Sequence, residues 1–168
     1  MIPVLTTGRL TLRPPVAGDA PNIASALNQW SVTRWLTLVP YPYGIADAVE
    51  FLDGLKSHLD GAFWAIDAGE GMIGAISVKP DLGYWLAPEH HGRGYMTEAA
   101  RAVIAWYFTH HDEPLISGYH VGNHASRGVL RKLGFQETHR ERAHQVATDE
   151  TVQIQRMALS PADWRLRS

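Results

Sequence analysis

The sequence predicts an α/β domain built on a mixed, mainly antiparallel sheet. Three observations predict it. Stretches with two-residue and with 3.6-residue apolar periodicity follow one another in the order β-αα-βββ-α-β-α-ββ. Strands come in runs as well as alternating with helices, which suits a largely antiparallel sheet flanked by helices. The strongest helical pattern, over 97–108, follows directly on a glycine-containing loop that ends a strand.

Each element has its own signal. Residues 9–13 alternate, with Leu10 and Leu12 on one face, and read as the first strand. Asp19 is placed to cap a helix running to about Asn28, with Pro21 tolerated in its first turn. The aromatic, proline-containing stretch 30–43 reads as a loop with a short helical piece. Residues 47–59 read as a second helix. A meander follows, with strands at 62–67, 72–78 and 82–86 separated by turns at 68–71 and at Pro80-Asp81. In the helix 97–108 and just before it, Met96, Ala99, Ala100, Val103, Ile104 and Tyr107 form one buried face. A strand at 115–121 precedes a helix at 125–133 that buries Ala125, Val129, Leu130 and Leu133, with Gly134 as a left-handed cap. Strands at 135–143 and 151–159 close the chain, and a change of apolar parity between Ile154 and Met157 marks a bulge or an edge. This gives about seven strands and about four helices.

Composition bounds the function. With 168 residues, 45% hydrophobic and 19% charged, the chain fits a single domain over 1–168 with a proper core. A formal charge of −2 offers no basic field, so no direct nucleic-acid binding is expected. The absence of cysteine excludes disulfides, thiolate nucleophiles and cysteine-based zinc sites. No apolar run approaches the roughly 20 residues of a membrane span, and a cytoplasmic protein is expected. Nine histidines invite a metal, but the spacing of His90-His91, His110-His111, and His120 with His124 matches no metal motif, so none is expected.

The informative segment is GYWLAPEHHGRGYMTEA, residues 83–99. A strand ends at Leu86, a loop carries Gly92 and Gly94, and a strong helix begins just after. A helix start presents free N–H groups and a partial positive charge, which suits an anion. Two glycines let successive amides curl around a phosphate. Arg93 adds a cation nearby. The loop is neither a Walker loop, since no Lys-Ser/Thr pair follows Gly94, nor a dinucleotide fingerprint, since the third glycine is missing. On these residues alone, a plain turn into the helix remains open.

This segment resembles the cofactor loop of the GNAT superfamily of N-acetyltransferases, and most closely the ribosomal-protein N-acetyltransferase (RimJ/RimL-like) branch. The family pattern Arg/Gln-x-x-Gly-x-Gly/Ala falls on His91, Gly92, Arg93, Gly94, Tyr95 and Met96, with His91 and Met96 departing from it. SGYHVGNHASRGVLRKLGF (117–135) is similar to the branch's second block, through Asn123, Ser126 and Leu133-Gly134-Phe135, and TGRLTLRPPVAGDA (7–20) is similar to its opening. The resemblance implies a GNAT-like sheet splayed between strands 82–86 and 115–121, with acetyl-CoA as acyl donor. It implies that the amides of Gly92 to Met96, together with His91, Arg93 and Thr97, hold the pyrophosphate. It implies that unpaired backbone groups of Trp85 and Leu86 bond the pantetheine, with Asn123 and Ser126 near the sulfur. Dimers are common in the family, so a homodimer is left open.

Without cysteine, an amine acceptor must attack the thioester directly in a ternary complex. The acceptor must be neutral, and the leaving thiolate needs a proton or a hydrogen bond. A protein N-terminus, with a pKa near 8, is roughly one-tenth neutral at pH 7, whereas a lysine amine is far less so. A small-molecule amine is the other acceptor. His120, at the end of a strand, titrates in the range of a base. Glu98 and Glu137 are further candidates through a water, and Ser126 is the candidate donor to the thiolate. Each has a plain alternative: a strand-end polar residue for His120, a dipole-favoured first-turn acid for Glu98, and a backbone-satisfying hydroxyl for Ser126. Asn123 likewise reads as an N-cap of the helix 125–133. Trp30, Trp35, Tyr41 and Tyr43 lie in the loop that borders the acceptor in the family. The alternative to an enzyme is a non-catalytic acyl-CoA-binding sensor.

Overall fold

The computed structural model describes residues 2–57, 62–78 and 81–168. Two antiparallel sheets organise them. The first has five strands in sequence order: β1 (Leu5–Thr6), β2 (Thr11–Arg13), β3 (Ala62–Asp67), β4 (Met72–Val78) and β5 (Leu82–Leu86). The second has three, β6 (Leu115–His120), β7 (Gln136–Gln145) and β8 (Glu150–Leu159), with β8 between the other two. The helices are α1 (Ala20–Leu27), α2 (Trp30–Thr33), α3 (Ile45–Ser57), α4 (Tyr95–His110), α5 (His124–Leu133) and α6 (Pro161–Arg167).

The layers follow from strand alternation. In β3, Trp64 and Ile66 face one side and Ala65 the other. The first side packs with Leu12, Ile76, Val103, Ile104, Leu130 and Leu133, so α4 and α5 cover it. The second packs with Ile23, Leu27, Ala48 and Leu52 from α1 and α3. Trp64 is fully buried and its Nε1–H donates to the Pro3 carbonyl at 2.8 Å, so its polar atom is satisfied.

The fold class and order are as expected, with differences in detail. The structure splits the strands into two sheets and adds the two-residue β1, giving eight strands among the described residues. The short helical piece expected in the aromatic stretch is α2, and the structure adds α6, whose Ser160 side chain accepts from the Asp163 N–H. The end of the helix expected at 47–59 and Pro80 of the expected turn lie outside the described residues. The parity change in β8 does not mark an edge, since β8 is central. The irregularity sits opposite, where Glu137 pairs with Met157 and Arg140 with Gln155, so two residues of β7 oppose the single Arg156. In α5, Leu130 and Leu133 are buried and Val129 half-buried, but Ala125 is exposed, because the start of α5 rims an open cleft.

Asp19 is not the side-chain cap of α1. Its carboxylate turns back to Arg13, with both oxygens within 2.9 Å of the guanidinium, and accepts from the Val16 N–H at 2.8 Å. Burial alone would raise its pKa, but Arg13 and the Val16 amide more than offset this and hold it below the ordinary carboxylate value. A depressed folded pKa gives stability that is present above the unfolded value, near 3.9, and lost as pH falls through the folded one. Urea titrations are expected to show a smaller loss of stability at low pH in Asp19→Asn than in wild type, the remainder coming from Asp67 and Glu98, which are also held below the ordinary carboxylate value.

Candidate active site

The two sheets meet at β5 and β6 without a ladder. At one end the Ser117 hydroxyl donates to the Leu82 carbonyl at 2.8 Å. Beyond it the strands part, and Tyr84, Trp85 and Leu86 line one wall of a cleft of about 850 Å³ while Gly118, Tyr119 and His120 line the other. Near the joined end Arg156 of β8 reaches Asp81 and lies 3.3 Å from Glu141 of β7. Its guanidinium passes over Gly118, where an added Cβ would stand 3.1 Å from Arg156 Nη1 and 2.9 Å from the Gln155 carbonyl oxygen.

The ladder fixes which backbone groups face the gap. Ala87 N–H bonds the Ile73 carbonyl, so by alternation Trp85 turns its backbone to Ala75 in β4, and Leu86 turns away. This corrects the expectation of unpaired backbone at Trp85, which contributes its side chain to the wall. Leu86 faces the gap, but its carbonyl is met by His91 Nε2 at 2.7 Å. The imidazole at the position where the family has Arg or Gln is thus folded inward onto the strand edge.

The loop Gly92–Gly94 enters α4 through two left-handed glycines, φ +75° at Gly92 and +78° at Gly94, a region closed to most side chains. Among the described residues, the N–H groups of residues 92–97 have no acceptor within the protein; the first helical bond runs from Glu98 N–H to the Gly94 carbonyl at 3.1 Å. His91, Gly92, Gly94, Tyr95, Met96 and Thr97 line the cleft. Arg93 does not: its side chain is exposed, so it joins the loop through its N–H. The cation seen against the loop is Arg9, 4.4 Å from the centre of the Tyr95 ring.

Across the cleft, Asn123 caps α5, its Oδ1 accepting from the Ser126 N–H at 3.3 Å. The Ser126 hydroxyl lies 2.8 Å from the Tyr84 hydroxyl. Burial pushes the Tyr84 phenol up to about 12, partly offset by this contact, so it keeps its proton. Tyr84 was missed from the sequence, although its place in GYWL beside the expected strand edge was a usable sign. His120, 7% exposed, stands at the far wall with Nε2 3.0 Å from Thr37 Oγ1 and its ring edge-on to Trp35 at 6.4 Å. Burial lowers its pKa and keeps the imidazole neutral.

Two candidate acids are drawn elsewhere. Glu98 accepts from the Thr7 hydroxyl at 2.6 Å and from Arg9 N and Nε at 2.8 Å, tying the N-terminal segment to α4. Glu137 accepts from the Tyr119 hydroxyl and Arg127 Nε. Neither lines the cleft. Of the aromatic loop, Tyr43 is buried in the core and Trp30 packs on Tyr41 at 5.1 Å, while Trp35 lines the cleft. Among the described residues no three His, Asp or Glu side chains cluster to hold a metal. None of the described helices is long and apolar enough to cross a membrane.

A sheet parted along one strand, with an amide-lined loop at the mouth of the gap, offers a place for an extended, anionic ligand. The family model described as acetyltransferase (GNAT) domain matches residues 9–136, and the chain belongs to that family. It is therefore an N-acetyltransferase that uses acetyl-CoA as donor. It is similar to the uncharacterized N-acetyltransferase YoaA of Bacillus subtilis, 28% identical over 151 residues, covering 82% of this chain and 85% of the relative. Among solved structures it is similar to RimL, a ribosomal L7/L12 alpha-N-protein acetyltransferase in complex with coenzyme A, with a TM-score of 0.81 and 18% identity over 94% of this chain and 98% of that chain. Mycobacterium smegmatis RimJ, in complex with a CoA-disulfide, gives a TM-score of 0.82 and 17% identity over 96% of this chain and 87% of that one.

Proposed function

We propose that this chain, as one domain, transfers the acetyl group of acetyl-CoA to the primary amine of a protein N-terminus or a small molecule, by direct attack within the cleft. The observation that carries the reading is the run of unpartnered amides at 92–97, at the mouth of a gap wide enough for an extended arm. The residues fit a diphosphate. The two left-handed glycines bring N–H groups to one side, an added Cβ at Gly92 would meet nothing within 4 Å, and the α4 dipole favours negative charge there. In this reading His91 orders the Leu86 edge, the N–H groups of Arg93 to Met96 and the hydroxyl of Thr97 take phosphate oxygens, and the Leu86 N–H meets the pantetheine. Asn123 holds the start of α5 in place.

The donor supplies an activated thioester carbon, at which a C–N bond forms as the C–S bond breaks. The chain's own groups handle the protons. His120, neutral because it is buried, accepts the proton that the amine loses. The sulfur leaves as a thiolate, to which Ser126 donates a hydrogen bond, and the proton now on His120 balances the charge. Tyr84, still protonated at neutral pH, donates to Ser126 Oγ, which frees the serine hydrogen to point into the cleft. A cytoplasmic setting suits a cysteine-free chain of this activity.

A thermal-shift series with acetyl-CoA, ATP and NAD, followed by thiol release with an amine panel, tests the reading. Stabilisation by acetyl-CoA alone and faster release with peptide α-amines than with a lysine side chain at pH 7 are the expected results. Binding without thiol release for every amine would make the chain an acyl-CoA sensor instead.

A further inference from the structure

The loop that carries Thr37 is held in place by the far hairpin. Gln145, 3% exposed, sits at the end of β7 and donates from Nε2 to the Arg34 carbonyl at 2.9 Å and the Leu36 carbonyl at 3.2 Å. Thr148 fixes that amide's orientation by donating to Oε1 at 2.9 Å, and Val146 N–H donates to the Thr37 carbonyl at 2.9 Å. Thr37 is therefore stitched on both sides, and its hydroxyl presents a fixed partner to His120 Nε2 at 3.0 Å. Trp35 sets the ring plane from the edge, with an interplanar angle of 88°.

This leaves the two nitrogens of His120 in different positions. Nε2 is occupied by Thr37, whereas Nδ1 has no partner among the described residues and is not sealed from solvent. The imidazole stands in the wall shared by the cleft and a second cavity of about 410 Å³ that opens between Trp30, Arg34, Gln145 and Glu150. Of the charged and titratable residues, Arg34 and Glu150 line the second cavity, while Lys132, Glu141 and Arg156, with His90, His91, Tyr84, Tyr95 and Tyr119, line the cleft. None pairs with the ring.

We propose that Thr37 is a positioning residue for His120, its hydroxyl engaging Nε2 so that Nδ1 is the nitrogen that accepts the amine's proton. This rests on His120 acting as the base. In the neutral ring Nε2–H donates to Thr37 Oγ1. When Nδ1 takes the proton the same bond stabilises the imidazolium.

The test pairs Thr37→Val, which keeps the branched shape and removes the hydroxyl, with Thr37→Ser, which restores it. Nitrogen-15 NMR of histidine-labelled free protein is expected to show His120 as one tautomer, protonated at Nε2, in wild type and Thr37→Ser, and as a mixture in Thr37→Val. Thr37→Val is expected to lower kcat about tenfold, with unchanged stabilisation by acetyl-CoA. The acid limb of its pH–rate profile moves to lower pH, because the imidazolium has lost an acceptor. Thr37→Ser recovers both. A proton on Nδ1 in the neutral wild-type ring, or Thr37→Val with wild-type kcat and pH profile, overturns the proposal. Failure of the underlying reading looks different: wild-type protein would release no thiol with any amine, whereas the tautomer measurement needs no turnover.

Discussion

Gly94→Asp is expected to abolish stabilisation by acetyl-CoA while leaving a folded protein. At a ligand concentration about a hundredfold above Kd, binding adds roughly 2.7 kcal/mol, which raises the Tm of a chain this size by roughly 5–10 °C. The substitution acts twice. Gly94 has φ +78°, where a side chain costs about 1–2 kcal/mol unless it is Asn or Asp, which tolerate the region better. The new carboxylate then sits among the N–H groups of residues 92–97, satisfying them itself and repelling a diphosphate. Gly94→Asn separates shape from charge: it has nearly the same size and suits the left-handed region, so it should weaken binding without removing it. A folded Gly94→Asp protein with a wild-type thermal shift would remove the loop from the site.

Ser126→Ala is expected to lower kcat about a hundredfold, the scale of a lost hydrogen bond to developing charge, with the acetyl-CoA thermal shift unchanged. The backbone N–H of Ser126 still reaches Asn123, so the start of α5 stays capped and the loss is confined to the hydroxyl. Tyr84→Phe removes one hydrogen bond of about 1 kcal/mol and should cost roughly fivefold. If the serine donates with help from the phenol, the double variant should be little worse than Ser126→Ala alone, because both act on one proton. Additive losses would show that the two hydroxyls act separately, and full activity in Ser126→Ala would reject its role.

Most of the scaffold was legible in the chain because its signals are local. The strands 72–78 and 82–86 were placed to the residue by the turns and the proline that bound them. Asn123 and Gly134 ended α5 as their side-chain chemistry predicts, one accepting a backbone N–H and the other taking φ +101°. Local signals misled where a distant partner competed. Asp19 looked like a cap, but Arg13 lies within reach once β2 is in the sheet, and an ion pair outweighs a cap bond. Ala125 looked buried by helical spacing, yet it faces a gap that only the parting of β5 from β6 creates.

The candidate site divides the same way. Gly92 and Gly94 announce themselves by residue type and spacing, and Ser126 through the family resemblance of its segment. Thr37 does not, because it sits in a loop without periodicity and matters only through His120, 83 residues away. The role of His91 was also out of reach, since its target is a main-chain oxygen five residues back and any residue supplies one.

The opening between β5 and β6 is pinned at its root. Ser117 fastens it from one strand, and Arg156 bolts across to Asp81 over a position that has no side chain. Both fastenings are made by the protein's own groups, so the strands are held at this end without a donor. At position 118 even a methyl group would crowd the Gln155 carbonyl and the guanidinium that forms this bolt.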